Sequence, residues 1–333
     1  MLVRTEGVQM TGVGDAQPGP QVVLDPAVRR LLAASAEPPF LHEIGPWDGR
    51  TALLESQGAM PVDPAVDVRF RVAPVGPSGL VGFWVFRPVA AARPPGVVLY
   101  VHGGRWMLGD GQTHGRLVGE LVKASGLAFV VPEYTRTPEA RYPVAVEEIY
   151  ALHTWLAGNG AGLDLDTRRP AVAGDCAGAT MAAAVTLLTK RRGGPRIGAQ
   201  LLYYPLLDAR CDSASHRHFA TGYLLPSEAV RWYWQEYCDD PRQAALPTVS
   251  PLRSSRADLA GLPPALIVTA EADPVRDEGE AYAARLREAG VDATAVRYPG
   301  VVHDFVSLTP LQSMPATRAA IAHGASFLRD AAA

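Results

Sequence analysis

The chain has 333 residues, of which 48% are hydrophobic and 20% charged, and its formal net charge is -3. This composition is typical of a globular protein rather than a disordered, collagen-like or membrane-embedded one. Acidic and basic residues are interspersed, so no basic stripe is available for nucleic acid or an anionic membrane, and we expect a small-molecule partner.

The first 20 residues are interrupted by glycine, proline and charged residues, so they lack the apolar core of a secretory signal. No later run of apolar residues is long enough to span a bilayer. Cys176, Cys211 and Cys238 are too few and odd in number for a disulfide framework, and their spacing does not resemble a zinc site. We therefore expect a reduced, cytoplasmic protein without a metal or an organic cofactor.

The N-terminal region is predicted to be a loose arm over residues 1–24, followed by a short amphipathic helix. Asp25 is the expected cap of this helix and Pro26 occupies its first turn. The remainder of the segment up to residue 62 is mixed and turn-rich. From Val66 onward, VDVRFRV and LVGFWVFRP alternate apolar and polar residues, which predicts an antiparallel entry into a sheet.

Short apolar runs without alternation follow, as is typical of strands buried on both faces. These runs are GVVLYVH (96–102), LAFVVP (127–132), RPAVAGD (169–175), AQLLYYP (199–205) and PALIVTA (264–270). Helical stretches accompany them at 144–157, 177–192 and 277–290. Strands and helices that alternate in this way predict a parallel sheet wrapped by helices.

Residues 209–250 break the alternation, because they contain no strand pattern and carry many aromatic residues. We interpret them as an insertion. Its aromatics, together with the N-terminal helix, could cover the carboxyl edge of the sheet, where open α/β folds bind ligands. Alternatively, they only hold two helices together. The residues concerned are Trp232, Tyr233, Trp234 and Tyr237.

The strongest chemical signal is AVAGDCAGAT (171–180), in which a buried strand ends at Gly174 and a helix begins just past Cys176. This is the GxSxG elbow with cysteine in place of serine. Its sharp turn requires small neighbours such as Gly174 and Gly178. The helix N-terminus would favour a thiolate at Cys176. The alternative is a buried, inert cysteine, which is the usual state of a free thiol.

A second signal is VVLYVHGGRW (97–106), a buried strand followed by a glycine-rich loop. The backbone N–H groups of Gly103, Gly104 and Ala177 are predicted to stabilise a developing oxyanion. His102 is expected to brace its own loop.

The acid and the base are predicted in two later loops. Asp273 directly follows a buried strand in VTAEADPVRDEG (268–279), where it can orient a histidine; Asp277 competes, but it suits a helix N-cap. His303 follows the last predicted strand in RYPGVVHDF (297–305). The chain order Cys176, Asp273, His303 is the one expected for this type of elbow.

Other titratable residues are assigned no catalytic role. Asp304 is not expected to orient His303, because adjacent side chains generally diverge. His216 and His218 are expected only to decorate the insertion.

At these residues the chain resembles the hormone-sensitive-lipase-like group of α/β-hydrolases, which have an HGGG loop, a GDSAGG elbow, a DPLxDEG acid loop and a late histidine. Similarity extends to EYTRTPEARYPVAVEE (133–148), SPL (250–252) and LDPAVRRLL (24–32), and covers about residues 24–330. The resemblance implies an α/β-hydrolase fold, with a mostly parallel eight-stranded sheet, a helical cap and esterase activity on short or medium acyl esters. The implied organisation is a flexible arm at 1–24, a first cap segment at 25–62, core at 63–208, a cap insertion at 209–250 and core at 251–333.

The chain departs from the family pattern at three places: Cys176 replaces serine, Arg105 replaces the last glycine of the oxyanion loop, and Ala179-Thr180 replace Gly-Asn. Arg105 would either recognise a carboxylate or another anionic group of the substrate, or point into solvent. Further substrate contacts are predicted at Trp106, Tyr223, Trp232 and Trp234.

The sequence is compatible with three functions. The first is hydrolysis of a small ester, lactone or thioester through an acyl-Cys176 intermediate. The second is an acyltransferase or cyclase of specialised metabolism with the same triad, because a thioester reacts well with amines and thiols. The third is a non-catalytic ligand-binding protein, as the plant gibberellin receptors illustrate for this family, although those receptors lack the late histidine. A homodimer is left open.

Overall fold

The buried apolar runs form the central strands of a single sheet. In the computed structural model, which describes residues 22–61, 63–91 and 93–332, this sheet has eight strands. They are β1 (Val66–Ala73), β2 (Val81–Pro88), β3 (Gly96–Val101), β4 (Ala128–Glu133), β5 (Asp166–Asp175), β6 (Gln200–Tyr203), β7 (Ala265–Ala272) and β8 (Ala293–Val302). Most of the arm predicted at 1–24 lies outside the described residues.

The strand order in the sheet is β1-β2-β4-β3-β5-β6-β7-β8. The β1–β2 and β2–β4 pairs are antiparallel, and all other neighbours are parallel. Phe70 and Val72 of the edge strand β1 remain exposed, whereas β3 is buried from Val97 to Val101. The predicted, mostly parallel eight-stranded sheet with an antiparallel entry is therefore confirmed.

Helices cover both the faces and the carboxyl edge of this sheet. They are α1 (Pro26–Ala34), α2 (Gly45–Gln57), α3 (Gly115–Ser125), α4 (Val144–Asn159), α5 (Cys176–Arg192), α6 (Ala214–His218), α7 (Ser227–Tyr237), α8 (Pro241–Ala244), α9 (Arg256–Leu259), α10 (Arg276–Glu288) and α11 (Pro315–Ala332). Short 3-10 helices lie at Gly160–Leu163, Pro251–Arg253 and Thr309–Leu311. None of the helices in the described parts of the chain has the length and apolarity needed to cross a bilayer.

Of the two N-terminal helices, the sequence predicts α1 but not α2. Asp25 caps α1 as predicted, since its Oδ1 accepts a hydrogen bond from the N–H of Ala27 at 2.7 Å. Helix α2 lies in the segment that was predicted to be turn-rich. It has little apolar periodicity, because Trp47 and Leu54 are exposed while Gly49 is buried. Its contacts with other elements, rather than its own pattern, hold it in place.

The connection between β6 and β7 contains helices α6 to α9 and no strand. His216 of α6 is buried, and its Nε2 lies 2.8 Å from Oε1 of Glu278 in α10. The other oxygen of Glu278 accepts hydrogen bonds from the N–H groups of Leu207 and Asp208. The expectation that His216 only decorates this segment is therefore wrong, because its hydrogen bond with Glu278 ties α6 to the core. His218 is exposed.

The aromatic residues of α7 have separate roles. Trp234 and Tyr237 pack on Trp106, in the loop after β3, with ring centroids 4.3 Å and 4.6 Å away. Trp232 lies 6.3 Å from the ring of His42, near the N-terminal helices. For Trp234 and Tyr237, the alternative that the aromatics hold elements together describes the observed packing.

A glycine substitution tests how closely α11 packs on the sheet. A Cβ at Gly324 would collide with the hydroxyl of Tyr203 in β6, a group that donates to the carbonyl of Ala320. Although alanine normally stabilises a helix interior, we expect Gly324→Ala to lower the free energy of unfolding by about 1–3 kcal/mol. Gly119→Ala in α3 is the matched control, since a Cβ there meets nothing within 4 Å. Equal urea denaturation midpoints for both variants would contradict the packing described.

Candidate active site

The strand-to-helix turn between β5 and α5 presents Cys176 at the carboxyl edge of the sheet. Cys176 has a φ of 52°, in the left-handed region that non-glycine residues rarely adopt. Such a backbone costs about 1–3 kcal/mol and persists only where the surroundings impose it. A Cβ at Gly174 would lie 2.7 Å from the carbonyl oxygen of Val101, and one at Gly178 would collide with that same oxygen. The small neighbours expected around the elbow are therefore required by the approach of α5 to β3.

Asp273 and His303 come from two neighbouring parallel strands. Asp273 follows the last residue of β7, and His303 follows the last residue of β8. Their side chains meet because both strands end at the same edge of the sheet, and Nδ1 of His303 lies 2.8 Å from Oδ2 of Asp273. Both residues are fully buried. Asp277, the competing acid, accepts a hydrogen bond from the N–H of Ser215 in α6 and does not cap its own helix.

The thiol lies next to this histidine. The Sγ of Cys176, a ring nitrogen of His303 and a carboxylate oxygen of Asp304 all lie within 4.8 Å of one another. Nε2 of His303 makes no hydrogen bond to any described residue, although a carboxylate oxygen of Asp304 lies 3.5 Å from it. Among the residues that the structure describes, these three also form the only cluster with metal-ligand spacing. The guanidinium of Arg105 beside Asp304 opposes a metal cation there.

The pKa values of the two histidines of the site are shifted in opposite directions. Burial lowers the pKa of His303, but the carboxylates of Asp273 and Asp304 outweigh it and hold that pKa well above its usual value. Burial lowers the pKa of His102 to about 3, so its imidazole is neutral. Its Nδ1 lies 2.8 Å from the carbonyl oxygen of Gly103, which fits the predicted role as a brace of its own loop.

The oxyanion loop differs from the prediction at Gly103. Its N–H donates to Oδ1 of Asp175 at 3.0 Å, so it is not free to bind an oxyanion. The N–H groups of Gly104, Arg105 and Ala177 have no acceptor among the described residues. The available donors therefore begin one residue later in the loop than the sequence predicted.

Asp175 determines which N–H groups are free, because its side chain links the loop after β3 to the turn between β5 and α5. Its Oδ1 also accepts a hydrogen bond from the hydroxyl of Tyr100 at 2.7 Å, and its Oδ2 lies 3.3 Å from Nε2 of His114. Burial raises the pKa of this carboxyl, but the charge and hydrogen bond of His114 outweigh it and lower the pKa. A buried anion next to Cys176 thus fixes the position of Gly103.

Arg105 does not point into solvent, so that alternative is wrong. Only 7% of the residue is exposed, and its Nη2 lies 2.8 Å from Oδ2 of Asp304. Oδ1 of Asp304 lies 3.5 Å from Nε2 of His303, because a φ of 62° turns this side chain back over the imidazole. The expectation that these two adjacent side chains diverge is also wrong. The Arg105–Asp304 pair covers the thiol and the imidazole.

A cavity of about 350 Å³ borders this ion pair. Arg105 and Asp304 line it, together with Tyr233 and apolar side chains that include Phe40 and Leu224. Arg105 is the only one of the predicted substrate contacts that lines it. Trp106 and Trp234 pack on each other, Trp232 lies near His42, and the ring of Tyr223 packs on Phe219 with centroids 5.1 Å apart. Phe40 and Leu224 carried no sequence signal, since they stand in loops of unpredictable path.

Comparisons with known proteins point to one type of enzyme. Residues 98–307 match the family model described as the alpha/beta hydrolase fold. The solved structure of a thermostable esterase from Pseudomonas putida superposes with a TM-score of 0.89 at 38% identity, covering 94% of this chain and 98% of that one. The carboxylesterase NlhH of Mycobacterium tuberculosis is 34% identical over 80% of this chain and 83% of its own. An ethyl acetate hydrolase of Pseudomonas putida is 34% identical over 66% of this chain and 72% of its own.

The ion pair between Asp273 and His303 generates a prediction about pH. Because the pKa of His303 is raised in the folded protein, its contribution to stability is fully present below about pH 6.5, the unfolded value, and is lost as the pH rises through the raised value. Asp273→Asn removes the carboxylate that contributes most to raising the pKa of His303. We expect NMR titration of the imidazole to show a lower pKa in this variant than in the wild type, and the stability measured by urea unfolding to depend less on pH. An unchanged His303 titration would contradict the assignment, and Asp277→Asn is the control.

Proposed function

Since the chain belongs to the α/β-hydrolase family and is an esterase-type member of it, we propose that it cleaves a small ester, lactone or thioester through an acyl intermediate on Cys176. One observation supports this more than any other. The cysteine stands at positive φ in the elbow, and its Sγ lies within 4.8 Å of a ring nitrogen of a histidine that is itself held by Asp273. Such an arrangement activates a nucleophile.

In the proposed first step, Nε2 of His303 takes the thiol proton and Sγ of Cys176 bonds to the carbonyl carbon. Asp273 keeps the Nδ1–H of the ring in place and stabilises the imidazolium. The tetrahedral oxyanion accepts hydrogen bonds from the N–H groups of Gly104 and Ala177, each worth about 3 kcal/mol of transition-state stabilisation. The carbon–oxygen bond then breaks, and the leaving alcohol takes the proton from Nε2.

In the second step, a water molecule attacks the thioester on Cys176. Nε2 of His303 removes a proton from the water, the carbon–sulfur bond breaks, and the proton passes to the thiolate as the carboxylic acid is released. All three cysteines are free thiols, and a reducing compartment such as the cytoplasm would keep the nucleophile reduced.

Acyl transfer is the second candidate, and the burial of the site favours it. Cys176 and His303 are both fully buried, so bulk water has no direct access to the thioester. A thioester also reacts well with amine and thiol acceptors. The same burial is the main observation in favour of a non-catalytic binding protein. Against that alternative, the elbow, the imidazole and its carboxylate are all in place.

We expect Cys176 to become acylated. When the protein is mixed with short acyl esters and thioesters, intact mass spectrometry should show a gain of one acyl group, which neutral hydroxylamine should remove because it cleaves thioesters. Cys176→Ala should abolish the gain, whereas Cys211→Ala and Cys238→Ala, the other two buried thiols, should keep it. A stable gain that persists in Cys176→Ala, or no gain with any donor, would sink the proposal.

Hydrolysis and transfer differ in the fate of the acyl group. We expect free acid as the main product without an added acceptor. If hydrolysis is the function, millimolar amine or thiol should leave the yield of acid nearly unchanged; a yield of amide or new thioester that exceeds the acid would instead identify a transferase. Liquid chromatography of the products, with Cys176→Ala as the blank, measures both.

A further inference from the structure

Two charged residues meet over the candidate triad in an unfavourable backbone conformation. Arg105 has a φ of 56° and Asp304 a φ of 62°, values that favour glycine. Each costs about 1–3 kcal/mol in a non-glycine residue. Together they bring the guanidinium and the carboxylate to 2.8 Å from each other, with only 7% of Arg105 and 8% of Asp304 exposed. Such strain at a site usually has a function.

The pair separates the cavity from the nucleophile. Both residues line the cavity of about 350 Å³, which none of the three candidate triad residues lines. On the inner side, a carboxylate oxygen of Asp304 lies within 4.8 Å of Sγ of Cys176, and Oδ1 lies 3.5 Å from Nε2 of His303. A substrate that enters from the cavity therefore has to move Asp304 away before its carbonyl can reach the thiol.

The charge of Arg105 restricts which substrate group can displace the carboxylate of Asp304. A buried arginine that loses its partner is strongly destabilising, so the group that displaces Asp304 must itself be an anion. The ring of Tyr233, whose centroid lies 5.8 Å from the guanidinium, is a neutral neighbour and cannot replace the carboxylate. Among the described residues, Arg105 is the one arginine or lysine that lines this cavity, so it is the natural partner of a ligand carboxylate.

We propose that Arg105 and Asp304 form a gate that selects acyl donors bearing a carboxylate close to the scissile carbonyl. The substrate carboxylate takes the position of Asp304 on Arg105 while the carbonyl reaches Cys176. Since the carboxylate of Asp304 lies within 4.8 Å of Sγ, a chain of about one to three atoms joins the two groups. The apolar cavity wall, with Phe40 and Leu224, accommodates an apolar alcohol. Half-esters of short dicarboxylic acids have this form.

The gate also connects binding with activation and rests on the proposed acyl-Cys176 chemistry. While Asp304 stays against Nε2 of His303, it competes with the thiol for that nitrogen. When the substrate carboxylate displaces it, Nε2 becomes free to take the thiol proton. A neutral ester carries no group that can replace Asp304 on Arg105, so it reaches the thiol less readily than an acidic ester.

The test compares a matched pair of esters, monobenzyl succinate and its neutral isostere benzyl 4-methylpentanoate. We expect the wild type to favour the acidic ester in kcat/KM by about 30-fold, and Arg105→Gln to lose that preference. Arg105→Lys should keep part of it. The ratio between the two esters cancels effects that a substitution has on folding or on the backbone donors.

Asp304→Asn should change the preference for the acidic ester in the direction opposite to Arg105→Gln. It removes the competing carboxylate, so the KM for monobenzyl succinate should fall relative to that for the neutral ester. A merely structural pair would instead lower both activities together in Arg105→Gln and Asp304→Asn. That result, or a wild-type ratio near one, overturns the gate while leaving the proposed function intact if Cys176 is still acylated.

A binding measurement keeps the two proposals separable even without turnover. N-benzylsuccinamate has the same carboxylate and an unreactive amide. It should raise the Tm of the wild type and of Asp304→Asn, but not that of Arg105→Gln. No acylation of Cys176 together with this shift would remove the proposed function and keep the anion site, whereas the absence of the shift in all three proteins would overturn the gate.

Discussion

The close approach of α5 to the end of β3 is the constraint on which the site depends. Gly174 and Gly178 allow the backbones to touch, and this contact forces Cys176 into a left-handed conformation at the start of the helix. The same contact brings Asp175 against the loop after β3, where it binds the N–H of Gly103. A single turn therefore sets the position of the thiol and that of the loop that supplies the backbone donors.

The positions of the acid and the base follow from the topology of the sheet. Because β7 and β8 are parallel neighbours, the residues after their last positions emerge side by side, and Asp273 and His303 meet without any local sequence relation. Full burial would by itself keep the imidazole neutral, but the two adjacent carboxylates reverse this effect and raise its pKa. The imidazolium that these carboxylates favour carries a positive charge, which stabilises a nearby anion such as a thiolate or a substrate carboxylate.

The sequence predicted those features that follow from strand order and turn chemistry. The eight-stranded sheet, the elbow at Cys176 and the pairing of Asp273 with His303 all belong to this group. Prediction from the sequence failed where a side chain hydrogen-bonds to a backbone N–H group, or where a loop reverses direction. Gly103 could not be excluded as a donor without knowing that Asp175 reaches it, and Asp304 could not be placed over His303 without its positive φ. Helix α2 was missed because its residues have little apolar periodicity.

Arg105 and Cys176 are two departures from the family pattern that make sense together. The proposed acyl intermediate on Cys176 is a thioester, which is less committed to water than an oxygen ester, so control over what reaches it matters more. In the proposed gate, the Arg105–Asp304 pair closes the path from the cavity to the thiol, at the cost of burying two charges. Such a pair adds little net stability in a protein interior. Its position next to both the cavity and Cys176 is better explained by control of access than by stabilisation of the fold.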